Sequence, residues 1–368
     1  MKKIVISGIN LSEGGPLTIY KECLGYVQKR LLENYEIVAL VHDKKLFSEF
    51  SQDINFIEFK SSKKSYLKRC YYEYIYFKKL SKKIKPYLWF SLHDTTPNVI
   101  AEKKVVYCHN PIIFFKMTKG QILKEWKMFL LTKLYKYVYK INIKKNNYIV
   151  VQQNWIRKEF KKIFDVNNII VASPNVNLEN FKISKTLEEV EENSFIFASF
   201  PRVFKNFEVI CEAVKILEKK NIKNFKVYLT INGNENKYSS ELYNKYKNLE
   251  CLNFIGLLNR NTLLGYYQKV KCVIFPSKLE TWGLPITEAK ELKKPLILSD
   301  LSYAHETLGN YEKVLFFNPD SAQELAEKME LIILNNSSEI KYEKNRAEKI
   351  ESPYCRNWRE LFEMILMD

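Results

Sequence analysis

Two glutamates eight positions apart, Glu280 and Glu288, bracket a loop that reads Thr281-Trp282-Gly283-Leu284-Pro285. The apolar run 272–275 before it predicts a strand, and Pro285 suits the first turn of a helix over 285–292. A strand–loop–helix turn offers free backbone amides to an anion at the helix start. Glu280 then lies in the loop and Glu288 about one turn into the helix. Carboxylates so placed can accept hydrogen bonds from the vicinal hydroxyls of a sugar or a ribose. The chemistry is that of a site for a polyhydroxylated, phosphorylated ligand. Solvated acids on an ordinary turn are the alternative.

Gly14-Gly15 is a second phosphate candidate, between an apolar run at 3–7 and a helical pattern from 16 to 32. Glycines there let amides approach a phosphate. The spacing Gly8…Gly14-Gly15 is not GxGxxG, so the dinucleotide fingerprint fails and a purely structural turn stays open. The chain has 4 histidines. His109 follows a strand expected at 105–108, at the end where α/β ligands bind; a satisfied structural histidine is the alternative. His93-Asp94 ends a run at 87–92 and could pair for acid/base work or serve the acceptor side. His305 reads as structural. The sequence holds no DxD triplet and no His/Cys cluster with metal spacing, so no metal is expected.

These residues need elements to carry them. Apolar runs at 3–7, 37–42, 56–59, 87–92, 105–108, 148–152 and 169–172 alternate with helical patterns such as 16–32 and 154–164. A second alternation follows, with strands at 195–199, 226–232, 253–255, 272–275 and 295–299 and helices at 207–219, 262–268 and 285–292. Asp320 or Ser321 can cap a further helix through 334. The expected class is α/β, as two doubly wound Rossmann-like domains with a ligand cleft between them. Their expected extents are 1–180 and 190–350, with a polar linker at 174–192 and a C-terminal helix at 351–368.

Several stretches, in order, resemble the retaining GT-B glycosyltransferases of family 4. Glu280-x7-Glu288 around Gly283-Leu284-Pro285 is similar to the E-x7-E motif of that family. Residues 198–207 (ASFPRVFKNF) resemble its basic donor-phosphate segment, 253–256 (NFIG) its FxG strand, and 315–320 (LFFNPD) its LFxPxD segment. The first half matches more loosely, through Gly14-Gly15 and 105–111 (VVYCHNP).

The resemblance implies a GT-B fold and a retaining, metal-independent sugar transfer. The donor is a nucleotide-sugar of UDP or GDP type, and no separate cofactor is implied. It assigns Arg202 and Lys205 to the donor diphosphate, although the family spaces this pair more widely. Glu280 and His109 would contact the transferred sugar, and Glu288 the ribose. Gly283, Leu284, Thr287, Gly14, Gly15 and Gly233 would contact donor phosphate, sugar or nucleotide. The acceptor is a saccharide or a lipid-linked saccharide in surface polysaccharide assembly. A nucleotide-sugar epimerase or a phosphorylase of the same fold is the nearest alternative.

The charge has a location. The 368 residues carry +17, but residues 1–184 hold 33 basic and 15 acidic side chains, so the whole excess lies in the first half. Residues 60–85 hold ten basic residues and one acid, Glu73; 116–146 hold nine and one, Glu125. Lysines interleaved with Tyr, Phe, Leu and Trp126 at helical spacing suit an anionic membrane surface, with a helix packed on one face and solvated on the other as the alternative. Basic–aromatic interleaving also fits nucleic acid, but no such binding motif occurs and no nucleic-acid partner is expected. Seven scattered cysteines without CxxC spacing exclude a disulfide framework and predict buried thiols. With no signal-peptide pattern and no apolar run of about 18 residues, the expected location is cytoplasmic, with peripheral attachment at the inner membrane face.

Overall fold

The computed structural model describes residues 1–174, 190–335 and 339–367. Most of the linker expected at 174–192 lies outside them. The strands are β1 (Lys2–Gly8), β2 (Tyr35–Val41), β3 (Asn55–Glu58), β4 (Leu88–Ser91), β5 (Lys103–Cys108), β6 (Tyr148–Val151), β7 (Ile169–Ala172), β8 (Ser194–Phe197), β9 (Lys226–Leu229), β10 (Leu252–Phe254), β11 (Cys272–Phe275), β12 (Leu296–Ser299), β13 (Val314–Phe317) and β14 (Tyr354–Cys355). The chain divides into two compact units, 1–175 with 350–368, and 176–349.

The first unit is built on an eight-stranded sheet in the order β14-β7-β6-β5-β4-β1-β2-β3. Its strand pairs are parallel, so both faces need helical cover, and the strands read as continuous apolar runs rather than alternations. Strand order reverses at β1, whose two neighbours are β2 and β4. The C-terminal segment closes this unit. β14 pairs with β7, and Arg157 Nη1 donates to the carbonyls of Glu351 (2.9 Å) and Pro353 (3.2 Å). The helix Trp358–Leu366 buries Leu361, Phe362 and Ile365 in the core around Ile4, Ile6 and Phe90.

The second unit carries a six-stranded parallel sheet, β10-β9-β8-β11-β12-β13, with its reversal at β8. Both units are therefore Rossmann-like and doubly wound. The reversal matters because neighbouring strands at that point send their connections to opposite faces and leave a crevice at their carboxyl ends.

Several elements differ from the sequence reading. The strand expected at 226–232 ends at Leu229, where the partner strand β8 ends at Phe197; beyond it the Thr230 amide still donates to the Phe197 carbonyl (3.3 Å) and its Oγ1 accepts from the Ser199 amide (3.0 Å). Ser321, not Asp320, caps the helix Ala322–Leu334, accepting from the Glu324 amide at 3.1 Å. Helices Lys237–Tyr246 and Ser302–Leu308 and strand β13 were not expected as elements. The basic stretch 60–85 holds one helical run, Tyr66 to Ile84, with a wider turn at Tyr72–Tyr76. Six cysteines are buried, as the composition suggests, but Cys70 is exposed. Among the described residues no helix is long and apolar enough to cross a membrane.

Candidate functional site

In the second unit the switch-point loops carry Lys205 and Glu280. The loop after β8 runs through a short 3-10 turn, Val203–Lys205, and ends on Asn206 in the left-handed region (φ 61°). That conformation suits asparagine better than most residues. The Asn206 side chain donates to the carbonyls of Pro276 (3.2 Å) and Pro319 (2.8 Å), tying this loop to the exits of β11 and β13. The Lys278 amide donates to the Phe204 carbonyl at 2.7 Å. The two loops are thus pinned by backbone, and Lys205 Nζ meets Glu280 Oε1 at 2.5 Å. The ammonium also lies over the Phe204 and Phe275 rings, at 5.6 and 5.9 Å from their centroids.

Gly283 begins the helix Leu284–Glu291 at φ 89°, a conformation that favours glycine. A Cβ there would also press Ile286 and Phe275, at 3.2 and 3.3 Å. Pro285 stands in the first turn. Thr287 Oγ1 accepts from the Trp282 indole at 3.0 Å, which orients the hydroxyl and leaves its proton to donate. Glu288 is buried, and its Oε1 pairs with Arg260 Nη2 at 2.7 Å. Burial pushes the Glu288 carboxyl up, and the Arg260 charge only partly offsets it. Arg260 was missed in the sequence. Its one signal is its place at the start of the helix Arg260–Lys269, capped by Asn259.

Other expected residues are placed less centrally. Arg202 is exposed, its guanidinium 5.0 Å from the Phe200 ring centroid. Gly233 has φ 93°, and a Cβ would sit 2.9 Å from Tyr243 Cβ. Its amide donates to Glu235 Oε2 (3.1 Å) and the Asn232 amide to Glu235 Oε1 (2.8 Å), so a carboxylate of the chain itself takes the anion position in that turn.

In the first unit Gly14 takes φ 68° and opens the helix Gly14–Arg30, with Gly15 its next residue. His93 and Asp94 do not pair with each other, which corrects the expectation of joint acid/base work. His93 is 0% exposed; its Nε2 lies 3.1 Å from Ser7 Oγ and its Nδ1 3.3 Å from Glu73 Oε1. Glu73, 1% exposed, is also held by Arg69 Nε at 2.6 Å and by the Thr95 hydroxyl. Burial alone would raise the Glu73 carboxyl; His93 and Arg69 outweigh it and bring it down to about 2. Asp94, at φ 72°, turns its Oδ1 to the amides of His109 (2.6 Å) and Asn110 (3.0 Å) and to the Tyr139 hydroxyl (3.1 Å). Adjacent side chains thus leave in different directions, and both act as supports.

What they support is the segment at the end of β5. His109 is buried, packs against the Tyr107 ring at 4.4 Å between centroids with the planes tilted by 37°, and has Gln152 Nε2 3.3 Å from its Nδ1. Its Nε2 is buried and meets no well-aligned hydrogen-bond partner among the described residues, with the Leu92 backbone the polar group acting on the ring. Desolvation lowers its pKa to about 4, despite the opposing charge of Asp94, so the ring is neutral near pH 7. His305 is structural: its nitrogens lie 2.6 Å from Asp300 Oδ1 and 2.6 Å from Asn345 Oδ1.

Residues 179–349 match the family model described as Glycosyl transferases group 1. The match covers the second unit, including Lys205, Glu280 and Glu288. The O-antigen chain mannosyltransferase RfbU of Salmonella typhimurium is 24% identical over 191 residues, 50% of this chain and 51% of that protein. The chain spans about half the length of the curated relatives it matches. Among solved structures, sucrose-phosphate synthase of Thermosynechococcus elongatus has TM-score 0.67 at 14% identity, covering 90% of each chain. WaaG, a glycosyltransferase involved in lipopolysaccharide biosynthesis, has TM-score 0.67 at 11% identity, again covering 90% of each. At these identities the structural likeness speaks for the fold alone, which is GT-B.

Proposed function

We propose that this chain is a retaining, metal-independent glycosyltransferase of family 4. It takes a nucleotide-sugar of UDP or GDP type and passes the sugar to a saccharide or lipid-linked saccharide in surface polysaccharide assembly, working on the cytoplasmic side. The observation that carries the reading is the Lys205–Glu280 pair at the switch point of the second sheet, inside the group 1 match. The O-antigen relative and the lipopolysaccharide structure support the acceptor class.

The chemistry follows from charge. As the glycosidic bond to the donor breaks, the diphosphate gathers negative charge. Lys205, held by its pinned loop, is preorganised to meet that charge at little reorganisation cost. Arg202 stands three residues before it and supplies a second cation. Donor phosphate competes with Glu280 for Lys205, which frees the Glu280 carboxylate to accept from sugar hydroxyls. Glu288 accepts from the ribose hydroxyls, while Gly283 and Leu284 offer backbone contacts. His109 is assigned to the sugar by the resemblance alone. We name no protein nucleophile: attack comes from the face the diphosphate leaves, and that diphosphate helps take the acceptor proton.

A thermal-shift panel of UDP-, GDP-, ADP- and CMP-sugars, followed by turnover, tests the reading. At least one donor is expected to stabilise the protein. Lys205→Ala should cut turnover by about 10²–10³-fold, the scale of losing one preorganised charge stabiliser. No stabilisation by any donor, or wild-type turnover in the variant, would sink the assignment.

A further inference from the structure

The helix Trp126–Lys140 in the first unit has apolar side chains on two opposite faces. Thr132, Tyr135 and Tyr139 are its buried side. Trp126, Leu130, Leu134, Tyr137 and the following Ile141 recur at steps of three and four, so they form one stripe. That stripe faces outward: Trp126 and Leu134 are 56% exposed and Tyr137 57%. A surface helix of a globular protein usually turns charges outward instead. Here the lysines stand along the flanks. Lys127 and Lys136 lie 5.9 and 5.0 Å from the Trp126 and Tyr137 ring centroids.

The helical run 66–84 repeats the arrangement. Leu67, Tyr71 and Ile75, four residues apart, are exposed. The one acid of 60–85, Glu73, is buried against Arg69 and His93, so every exposed charge in that stretch is positive. Both helices are anchored from inside on one short segment. Tyr135 and Tyr139 donate to the Asp94 carboxylate, and Arg69 Nη2 donates to the His93 carbonyl at 2.8 Å.

We propose that the outer stripe of 126–141, joined by that of 66–75, is a docking face for an anionic lipid bilayer, with the apolar stripe entering the headgroup boundary and the lysines meeting lipid phosphates. The proposal deepens the membrane attachment expected from the charge of the first half and rests on the lipid-linked acceptor proposed above. Charge selects this occupant. A second copy would bring the same lysines and repel. Leu67, Ile75, Leu130, Leu134 and Ile141 interrupt the exposed rings of Tyr71, Trp126 and Tyr137 with aliphatic side chains, which suits an acyl boundary better than a run of stacked bases.

Co-sedimentation with vesicles tests it, without donor or acceptor. One set is phosphatidylcholine alone, the other phosphatidylcholine with added phosphatidylglycerol. The wild type should sediment with the anionic set, weakly with the neutral set, and less as salt rises; Trp126 emission should shift to the blue. Leu130→Glu with Leu134→Glu should lose roughly tenfold or more of the binding. Lys133→Glu with Lys136→Glu should lose a similar amount. Circular dichroism, together with the nucleotide-sugar thermal shift, checks that each variant is folded. Undiminished binding in a folded stripe variant overturns this face and leaves the membrane reading standing. No wild-type binding to any vesicle overturns both. Equal binding to both vesicle sets, or a dimer that the stripe variant dissociates in sedimentation equilibrium, overturns the anionic bilayer as the occupant. A nucleotide-sugar shift that persists through any of these outcomes keeps the transferase reading separate.

Discussion

His109 should titrate well below an ordinary histidine. Burial lowers its pKa from 6.5 to about 4, with Asp94 opposing the shift. A difference of that size is worth about 3 kcal/mol at about 1.4 kcal/mol per pH unit. The sign follows from the protons bound. Between pH 6.5 and 4 the unfolded chain protonates this residue and the folded one does not, so acid favours unfolding. The stability is therefore intact above about pH 6.5, declines as pH falls through the window, and loses no more from this group below about 4. Proton NMR of the imidazole signals reads the midpoint directly, and with 4 histidines the His109→Gln variant assigns its signal by loss. Urea unfolding of the first unit's transition in the full chain reads the energetic side. On moving from pH 7 to 4.5, the wild type should lose about 2–3 kcal/mol more than His109→Gln. A midpoint near 6.5, with equal acid sensitivity in both proteins, would refute the claim that the site holds a neutral imidazole.

Two further outcomes concern the second unit. Arg260→Ala strips the buried Glu288 carboxylate of its charge partner and should cost roughly 3–5 kcal/mol in urea unfolding, whereas Arg260→Ala with Glu288→Gln should recover much of it; an unchanged midpoint in the single variant would show the pair to be unimportant. Gly283→Ala must hold φ 89° with a side chain and should cost about 1–2 kcal/mol in thermal or urea unfolding while weakening donor binding; unaltered stability and binding would mean that the loop relaxes freely.

The apolar runs, the helix phases and the E-x7-E spacing were legible in the chain because they are local. Strands buried on both faces must be apolar throughout, and Gly283 with Pro285 announces a helix start whatever lies elsewhere. Thus 272–275 and 154–164 were placed to the residue, and the net positive charge was assigned to the first half. Partners distant in sequence were not legible. Lys205 and Glu280 stand 75 positions apart and meet because Asn206 ties two loops at a strand-order reversal. Arg260 and Glu288 belong to different helices and meet, at 2.7 Å, only once the second unit has folded. His93 and Asp94 looked like a pair because they are neighbours, yet one backbone residue at φ 72° sends their side chains to different supports. The lysine-rich helices looked alike on any face; tertiary packing decided which side was buried, and so left Trp126, Leu130, Leu134 and Tyr137 outward. Local propensity acts within a few residues along the chain, whereas charge pairing and burial depend on distances that only the closed fold creates.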